Sequence, residues 1–296
     1  MNKPASHVSF DLSNKRCFRQ RALTKGLRWA HYQNEQDRLF YINDQQHTLS
    51  MYLEGGFQTH RTDIQSVYGA PGRFCLMPKG SESRWQLGEP QQFMHLYFDD
   101  NHLKQLALRV FDLDPRLIQL PELTFSEHPA LEALVRHTMS SINWDSSDSQ
   151  LMMEQVTDTI LVTLLQNTSI TKQLRLVKGG LAPRVTQLVC DFIHANYQRQ
   201  IYLHELAELA QLSEYHFCRM FKQSMAQTPQ QYLTEVRIER VKQHLGSSQQ
   251  GLADISLLCG FSNQSHMGRY FKQLVGISPS GYRRQLFPTM LTSNCS

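Results

Sequence analysis

Arg219 and Arg269 lie 50 residues apart in matching surroundings. Each is followed three positions later by a lysine, within Phe221-Lys222-Gln223 and Phe271-Lys272-Gln273. Tyr215 and Cys218 precede the first arginine, and Gln264 and Ser265 precede the second. Arginine donates two hydrogen bonds to guanine, and glutamine matches the donor and acceptor of adenine. A lysine one turn further along suits a phosphate, which positions a protein without reading sequence. Tyr215, Cys218, Arg219, Gln264, Ser265 and Arg269 are therefore expected to read bases, and Lys222 and Lys272 to hold phosphates. The rival reading makes the arginines structural ion-pair donors, to Glu239 or Asp254, and Tyr215 a core aromatic.

These residues need rigid elements beneath them. The offset of 50 holds from His216 and His266 through Pro229 and Pro279. Repetition at such a period decides architecture, and two copies suit a paired motif. In the first copy Leu203, Leu206, Ala207 and Ala210 form one apolar face. Gln211-Leu212 supplies a turn, and Ser213 can cap the next helix. Phe217, Met220 and Phe221 face inward, leaving Tyr215, Cys218, Arg219 and Lys222 outside. This is the plan of a helix-turn-helix, whose second helix enters the major groove.

The second copy repeats it. Ala253, Ile255, Leu257 and Leu258 supply the first helix, and Gly260 takes a turn position that often needs φ > 0. Ser262 is the expected cap, with Met267, Tyr270 and Phe271 inward. Gly268 has no side chain to offer a base, so readout there is weaker or the backbone approaches DNA closely. Between the copies, residues 231–242 lack Gly and Pro and read as a stiff connecting helix. Two motifs so fixed can enter successive major grooves about 34 Å apart. His216 and His266 have no ligand partner at i+4 and read as gap-fillers, not metal ligands.

The charge pattern agrees. Residues 1–180 carry 19 Lys/Arg and 19 Asp/Glu, while residues 181–287 carry 11 against 7. The whole +4 excess of the 296-residue chain therefore sits with the repeat, as a polyanionic partner would require. None of the six cysteines forms a C-x-x-C pair, and buried free thiols in a reducing cytoplasm are expected. Met1 to Arg21 has basic residues but no apolar core, and no stretch approaches a membrane span, so no signal peptide and no membrane partner are expected.

The rest of the chain reads as a second domain. From 38 to about 100 the apolar period is near two, with Leu49-Met51-Leu53 and Met94-Leu96-Phe98 alternating between turn residues, which suggests an antiparallel sandwich or small barrel. Leu131, Leu134, Val135, Thr138, Met139 and Ile142, and then Val156, Ile160, Leu161, Leu164 and Leu165, give two amphipathic stripes either side of Asp145–Ser149. They form a helical hairpin on the sheet or pair with a second subunit. Residues 1–35 read as a flexible arm, 36–167 as a sensing and dimerisation domain, 168–182 as a linker, 183–287 as the DNA-binding domain and 288–296 as a tail.

The repeat, the Gly260-Phe261-Ser262 turn and the run Gly276-Ile277-Ser278-Pro279-Ser280-Gly281-Tyr282-Arg283 resemble the AraC-type transcription regulators. The resemblance covers about 183–286. More loosely, Pro71-Gly72-Arg73-Phe74-Cys75-Leu76-Met77-Pro78-Lys79-Gly80 looks like the cupin-type sensing domain of that family. His266 and Met267 stand where members more often carry two aromatics. The family implies an α+β chain of two domains: an N-terminal antiparallel, cupin-like β-barrel with a helical hairpin, and an all-α C-terminal domain with two helix-turn-helix motifs. It implies a cytoplasmic homodimer, usually an activator, that binds promoter or operator double-stranded DNA, contacts RNA polymerase and answers to a small-molecule effector. Tyr52, Phe57, Trp85 and His95 are the residues offered for that effector, or else they fill a core.

An enzyme reading is the alternative: a cupin-type metal-dependent enzyme with an appended DNA-binding domain. His31, His47, His60 and His95 are scattered without an H-x-H pair, so neither a metal nor another cofactor is expected. No nucleophile elbow, P-loop or dinucleotide fingerprint is present.

Overall fold

The computed structural model describes residues 15–65, 67–166, 179–248 and 250–286. These divide into two compact units, on either side of the segment 167–178. The first 14 residues of the expected arm, most of the expected linker and the expected tail lie outside the described residues.

Among the described residues the N-terminal unit contains nine strands: β1 (Lys15–Ala22), β2 (Arg28–Asn34), β3 (Asp37–Ile42), β4 (His47–Gly55), β5 (His60–Arg61), β6 (Arg73–Met77), β7 (Glu82–Leu87), β8 (Gln91–Phe98) and β9 (Leu123–Glu127). They pair antiparallel into a six-stranded sheet, β1-β2-β8-β4-β6-β9, and a three-stranded sheet, β3-β7-β5. Neither pairing order closes on itself, so the expected barrel is realised as two open sheets.

Period-two patterning explains the layers, because successive side chains point to opposite faces. Leu49, Met51 and Leu53 of β4, with Trp29, Phe74, Leu76, Met94 and Leu96, face a cluster shared with the helices. Tyr52, Tyr32, Cys75, Met77 and Phe93 point the other way, where Tyr41 of β3 and Trp85 of β7 pack against them. The helices are α1 (Asp100–Phe111), α2 (Pro129–Ala133), which runs on as a π-helical turn over Leu134–Met139, and α3 (Ser149–Gln166). Leu131, Val135, Met139 and Ile142 pack with Ile160, Leu161, Leu164 and Leu165, so the two stripes cover the sheet as a hairpin. The Trp29 indole N–H donates to Thr157 Oγ1 at 2.8 Å and pins α3 to β2.

The arm expectation needs correction over residues 15–34, which form β1 and β2 in register from Lys15–Asn34 to Ala22–Arg28. Most of β1 is exposed, and arginines rather than apolar side chains hold it. Arg19 donates to the carbonyl of Ile142 at 3.3 Å, and Arg21 to that of Trp144 at 2.7 Å.

The C-terminal unit is helical: α4 (Pro183–Asn196), α5 (Leu203–Leu209), α6 (Glu214–Met225), α7 (Pro229–Ser247), α8 (Leu252–Leu258), α9 (Gln264–Val275) and α10 (Pro279–Leu286). Leu181, assigned above to the linker, is buried in this unit, and its N–H donates to Ser224 Oγ at 2.8 Å. The first motif packs on Tyr232, Leu233 and Val236 of α7. The second packs on Ile238, Val241 and Leu245 of the same helix. The connecting helix is thus the shared spine of two small cores.

Candidate functional site

Two helix-turn-helix motifs stand on that spine. In the first, the turn between α5 and α6 passes through Gln211 at φ 54°. Ser213 caps α6, its hydroxyl accepting the N–H of His216. Phe217, Met220 and Phe221 are buried beneath it. In the second, Gly260 takes the left-handed position at φ 79°. A Cβ there would lie 2.4 Å from the carbonyl oxygen of Tyr197. Met267 and Phe271 are buried beneath α9.

The cap of α9 is Asn263, whose side chain accepts the His266 N–H at 2.8 Å, and not Ser262. The first helices of the two motifs are offset by 49 residues and the second helices by 50, so the second turn holds one extra residue. Ser262 turns its hydroxyl to His266 Nδ1, 3.1 Å away. His216 is exposed, while His266 rests edge-on between Phe261 and Tyr270.

Tyr215 is 80% exposed, at the N-terminal end of α6. Arg219 and Lys222 lie exposed on the same helix, and Cys218 is half-buried. Gln264, Ser265, Arg269 and Lys272 are exposed on α9. Among the described residues none of the four cations makes an ion pair; Glu239 pairs with Lys242 instead, and Arg269 lies against the Tyr270 ring at 5.1 Å. Their charge is therefore available to a partner. Gly268 sits between them with open space where a Cβ would be.

The two motifs are locked together by Arg237. Buried in α7, it donates from Nε to the Tyr197 carbonyl and from Nη2 to the Arg199 carbonyl, each at 2.8 Å. Tyr197 and Arg199 follow α4 in the first half, and Gly260 of the second half closes over the same carbonyl. The guanidinium also faces Phe261, 5.9 Å away.

The N-terminal unit holds a cavity between its two sheets, about 690 Å³ counted with its mouth. Tyr52, Trp85 and His95 line it, joined by Lys15, Asn34, Ser50 and Phe93. Phe57 does not: it is 61% exposed at the turn after β4. His95 Nδ1 lies 2.9 Å from the Tyr97 hydroxyl. Burial, aided by the charges of Lys15 and Arg28, holds the His95 imidazole well below its usual range. Burial likewise raises the Tyr52 phenol and pushes the Cys75 thiol up to about 12. Among the described residues no group of three or more His, Cys, Asp or Glu side chains is placed to hold a metal ion, and no helix is long and apolar enough to cross a membrane.

Residues 206–285 match a family described as a helix-turn-helix domain. An uncharacterized HTH-type transcriptional regulator of Haemophilus influenzae is 35% identical over 256 residues, which span 85% of this chain and 79% of that one. This chain belongs to the AraC family of DNA-binding transcription regulators. A probable transcriptional regulator, LumQ of Photobacterium leiognathi, is 26% identical over 61% of this AraC-family chain, and the match spans 65% of LumQ. The structure of unsaturated fatty acid-bound ToxT from Vibrio cholerae aligns over 90% of this chain and 98% of that one, at 14% identity and a TM-score of 0.43, too low to bear on this regulator's ligand.

In this AraC-family chain the eight residues expected at DNA share one unit, on α6 and α9, and Tyr215 and Ser265, Arg219 and Arg269, and Lys222 and Lys272 stand at places repeated 50 residues apart. Sequence reasoning missed Arg237, although an arginine set directly between Val236 and Ile238 was the signal. It also missed Asn34, Ser50 and Phe93. Thr48, Ser50 and Tyr52 alternate with Leu49, Met51 and Leu53, and that polar half of β4 marks a face turned to a cavity.

Proposed function

We propose that this protein is a ligand-responsive activator that binds specific operator DNA as a homodimer in the cytoplasm. The observation that carries the reading is the exposed cation set Arg219, Lys222, Arg269 and Lys272, unpaired among the described residues and repeated on two helices of one packed unit. Arg219 and Arg269, with Tyr215, Cys218, Gln264 and Ser265, read bases from successive major grooves; Lys222 and Lys272 anchor phosphates. Residues 179–286 are then the DNA-binding domain, and the N-terminal unit is a cupin-like sensor.

The cavity supports an effector site, because aromatic walls with a few convergent polar groups are what small-molecule sites offer. Tyr52, Trp85 and His95 belong to that site, and Phe57 is withdrawn from it. Family membership supports contact with RNA polymerase and activation. Leu151 and Met152, exposed at the start of α3, support a subunit contact.

Footprinting of the purified chain on its own upstream region tests the reading. Two protected stretches about 10 base pairs apart on one DNA face are expected. Protection of a single groove, or none at low salt, overturns the two-probe reading.

A further inference from the structure

We propose that the cavity between the two sheets takes a small, uncharged aromatic molecule carrying a hydrogen-bond donor, of the phenol or indole class. This rests on the reading of the cavity as the effector site.

The walls are aromatic, and their rings already pack on one another. Tyr52 and Phe93 lie 5.8 Å apart at 34°, and Phe93 and His95 lie 4.8 Å apart at 43°. Trp85 stands on the far sheet, 5.6 Å from Phe125 at 84°. Such ring-lined walls offer a flat aromatic guest the offset and edge-on contacts that aromatic pairs prefer.

The polar atoms ask for a donor. Asn34 is buried, and its Oδ1 has no hydrogen-bond partner among the described residues. An unmet buried acceptor is costly, and a guest O–H or N–H relieves that cost. His95 Nδ1 lies 2.9 Å from the Tyr97 hydroxyl, and a neutral imidazole keeps one ring nitrogen as an acceptor. Ser50, paired with His95 across β4 and β8, and Tyr52 also belong to the lining.

Charge is disfavoured there. Lys15, the cation of the lining, lies 3.3 Å from the centre of the Tyr32 ring, and burial, helped by Arg28, brings its amine down to about 7. With His95 also held neutral, the titratable side chains around the slot are driven toward their uncharged forms. A carboxylate entering it gives up its hydration in a slot whose buried imidazole and phenol are held in their uncharged forms.

The test is equilibrium dialysis of the full chain against 4-methylphenol, toluene, 4-methylcyclohexanol, 4-methylbenzoate and oleate. Saturable binding of 4-methylphenol is expected, roughly tenfold tighter than each of the others, the discrimination one well-met polar contact or ring can give. Trp85→Leu, at a half-buried site, and Ser50→Val are both expected to weaken it while far-ultraviolet circular dichroism stays unchanged. Tighter binding of 4-methylbenzoate, oleate or 4-methylcyclohexanol that is lost in Trp85→Leu overturns the ligand class and leaves the effector cavity standing. Binding unchanged in both variants, or no binding of any probe, overturns the cavity reading as well.

Discussion

Arg237 Nε donates to the carbonyl oxygen of Tyr197 at 2.8 Å, across 40 residues of chain. That contact, with its twin to Arg199, joins the half of the C-terminal unit that carries α6 to the half that carries α9. A protein that reads two grooves at once needs its two probes at fixed separation, and a buried guanidinium with two carbonyl acceptors supplies that at one point.

Arg237→Met is expected to destabilise the C-terminal unit by about 2–4 kcal/mol, since the part-buried carbonyl contacts to Tyr197 and Arg199 lose their charge-assisted donor. Denaturant unfolding followed by circular dichroism measures it. Operator affinity should fall more than affinity for a half-operator bearing one groove site, because the loss is in rigidity. Equal losses on both would show that Arg237 does not set the spacing.

The two helix-turn-helix motifs were legible because their apolar spacing and their exits repeat: Phe221-Lys222 and Phe271-Lys272, Thr228-Pro229 and Ser278-Pro279. The cap of α9 was misplaced because the offset changes from 49 to 50 inside the turn, which moves the start of the helix from Ser262 to Asn263. Residues 15–34 were misread as an arm because β1 is an edge strand held by Arg19 and Arg21, and apolar periodicity is silent about arginine–carbonyl contacts. Phe57 was offered as a cavity residue on its aromatic character alone; it follows Gly55-Gly56, whose φ of 66° and 86° turn the chain away from the sheet. Which face of β4 lines a cavity depends on the opposing sheet, a contact between distant strands that local pattern does not encode.

Acid should destabilise the N-terminal unit through His95. Its folded imidazole lies well below the ordinary 6.5, so below that pH the unfolded chain binds a proton that the folded chain refuses. Stability therefore falls as pH drops from about 6.5, with a slope of up to ~1.4 kcal/mol per unit from this group. Lys15 acts with the same sign at higher pH: folded near 7 and unfolded near 10.5, it makes stability rise with pH between those values. Tyr32, Phe93 and Tyr97 pack around His95, with Lys15 and Arg28 the neighbouring charges. Thermal melts from pH 5 to 8 should show a shallower slope in His95→Gln; an unchanged slope would assign the acid sensitivity elsewhere.

Arg219→Ala and Lys222→Ala separate reading from anchoring. Loss of Arg219 should lower operator affinity by about 1–3 kcal/mol and relax one base position. Loss of Lys222 should weaken all sequences alike and reduce the slope of log K against log salt by about one. Fluorescence anisotropy over a salt series, with operator and scrambled duplexes, distinguishes the two. If both variants bind the operator as the parent does, α6 does not face DNA.

Gly268 tests how closely the second motif approaches its groove. A Cβ at this position meets nothing within 4 Å among the described residues, and the residue lies inside α9. Gly268→Ala should therefore stabilise the helix by about 0.5–1 kcal/mol, the usual gain of alanine over glycine in a helix interior. If α9 sits against DNA through its backbone, the added methyl meets the duplex and operator affinity falls even as the melting temperature rises. If side chains such as Gln264 and Arg269 hold the helix further out, affinity stays level or improves with the stiffer helix. Paired melting and anisotropy measurements on this one variant decide between the two, because stability and affinity move in opposite directions only when the methyl and the DNA compete for the same space.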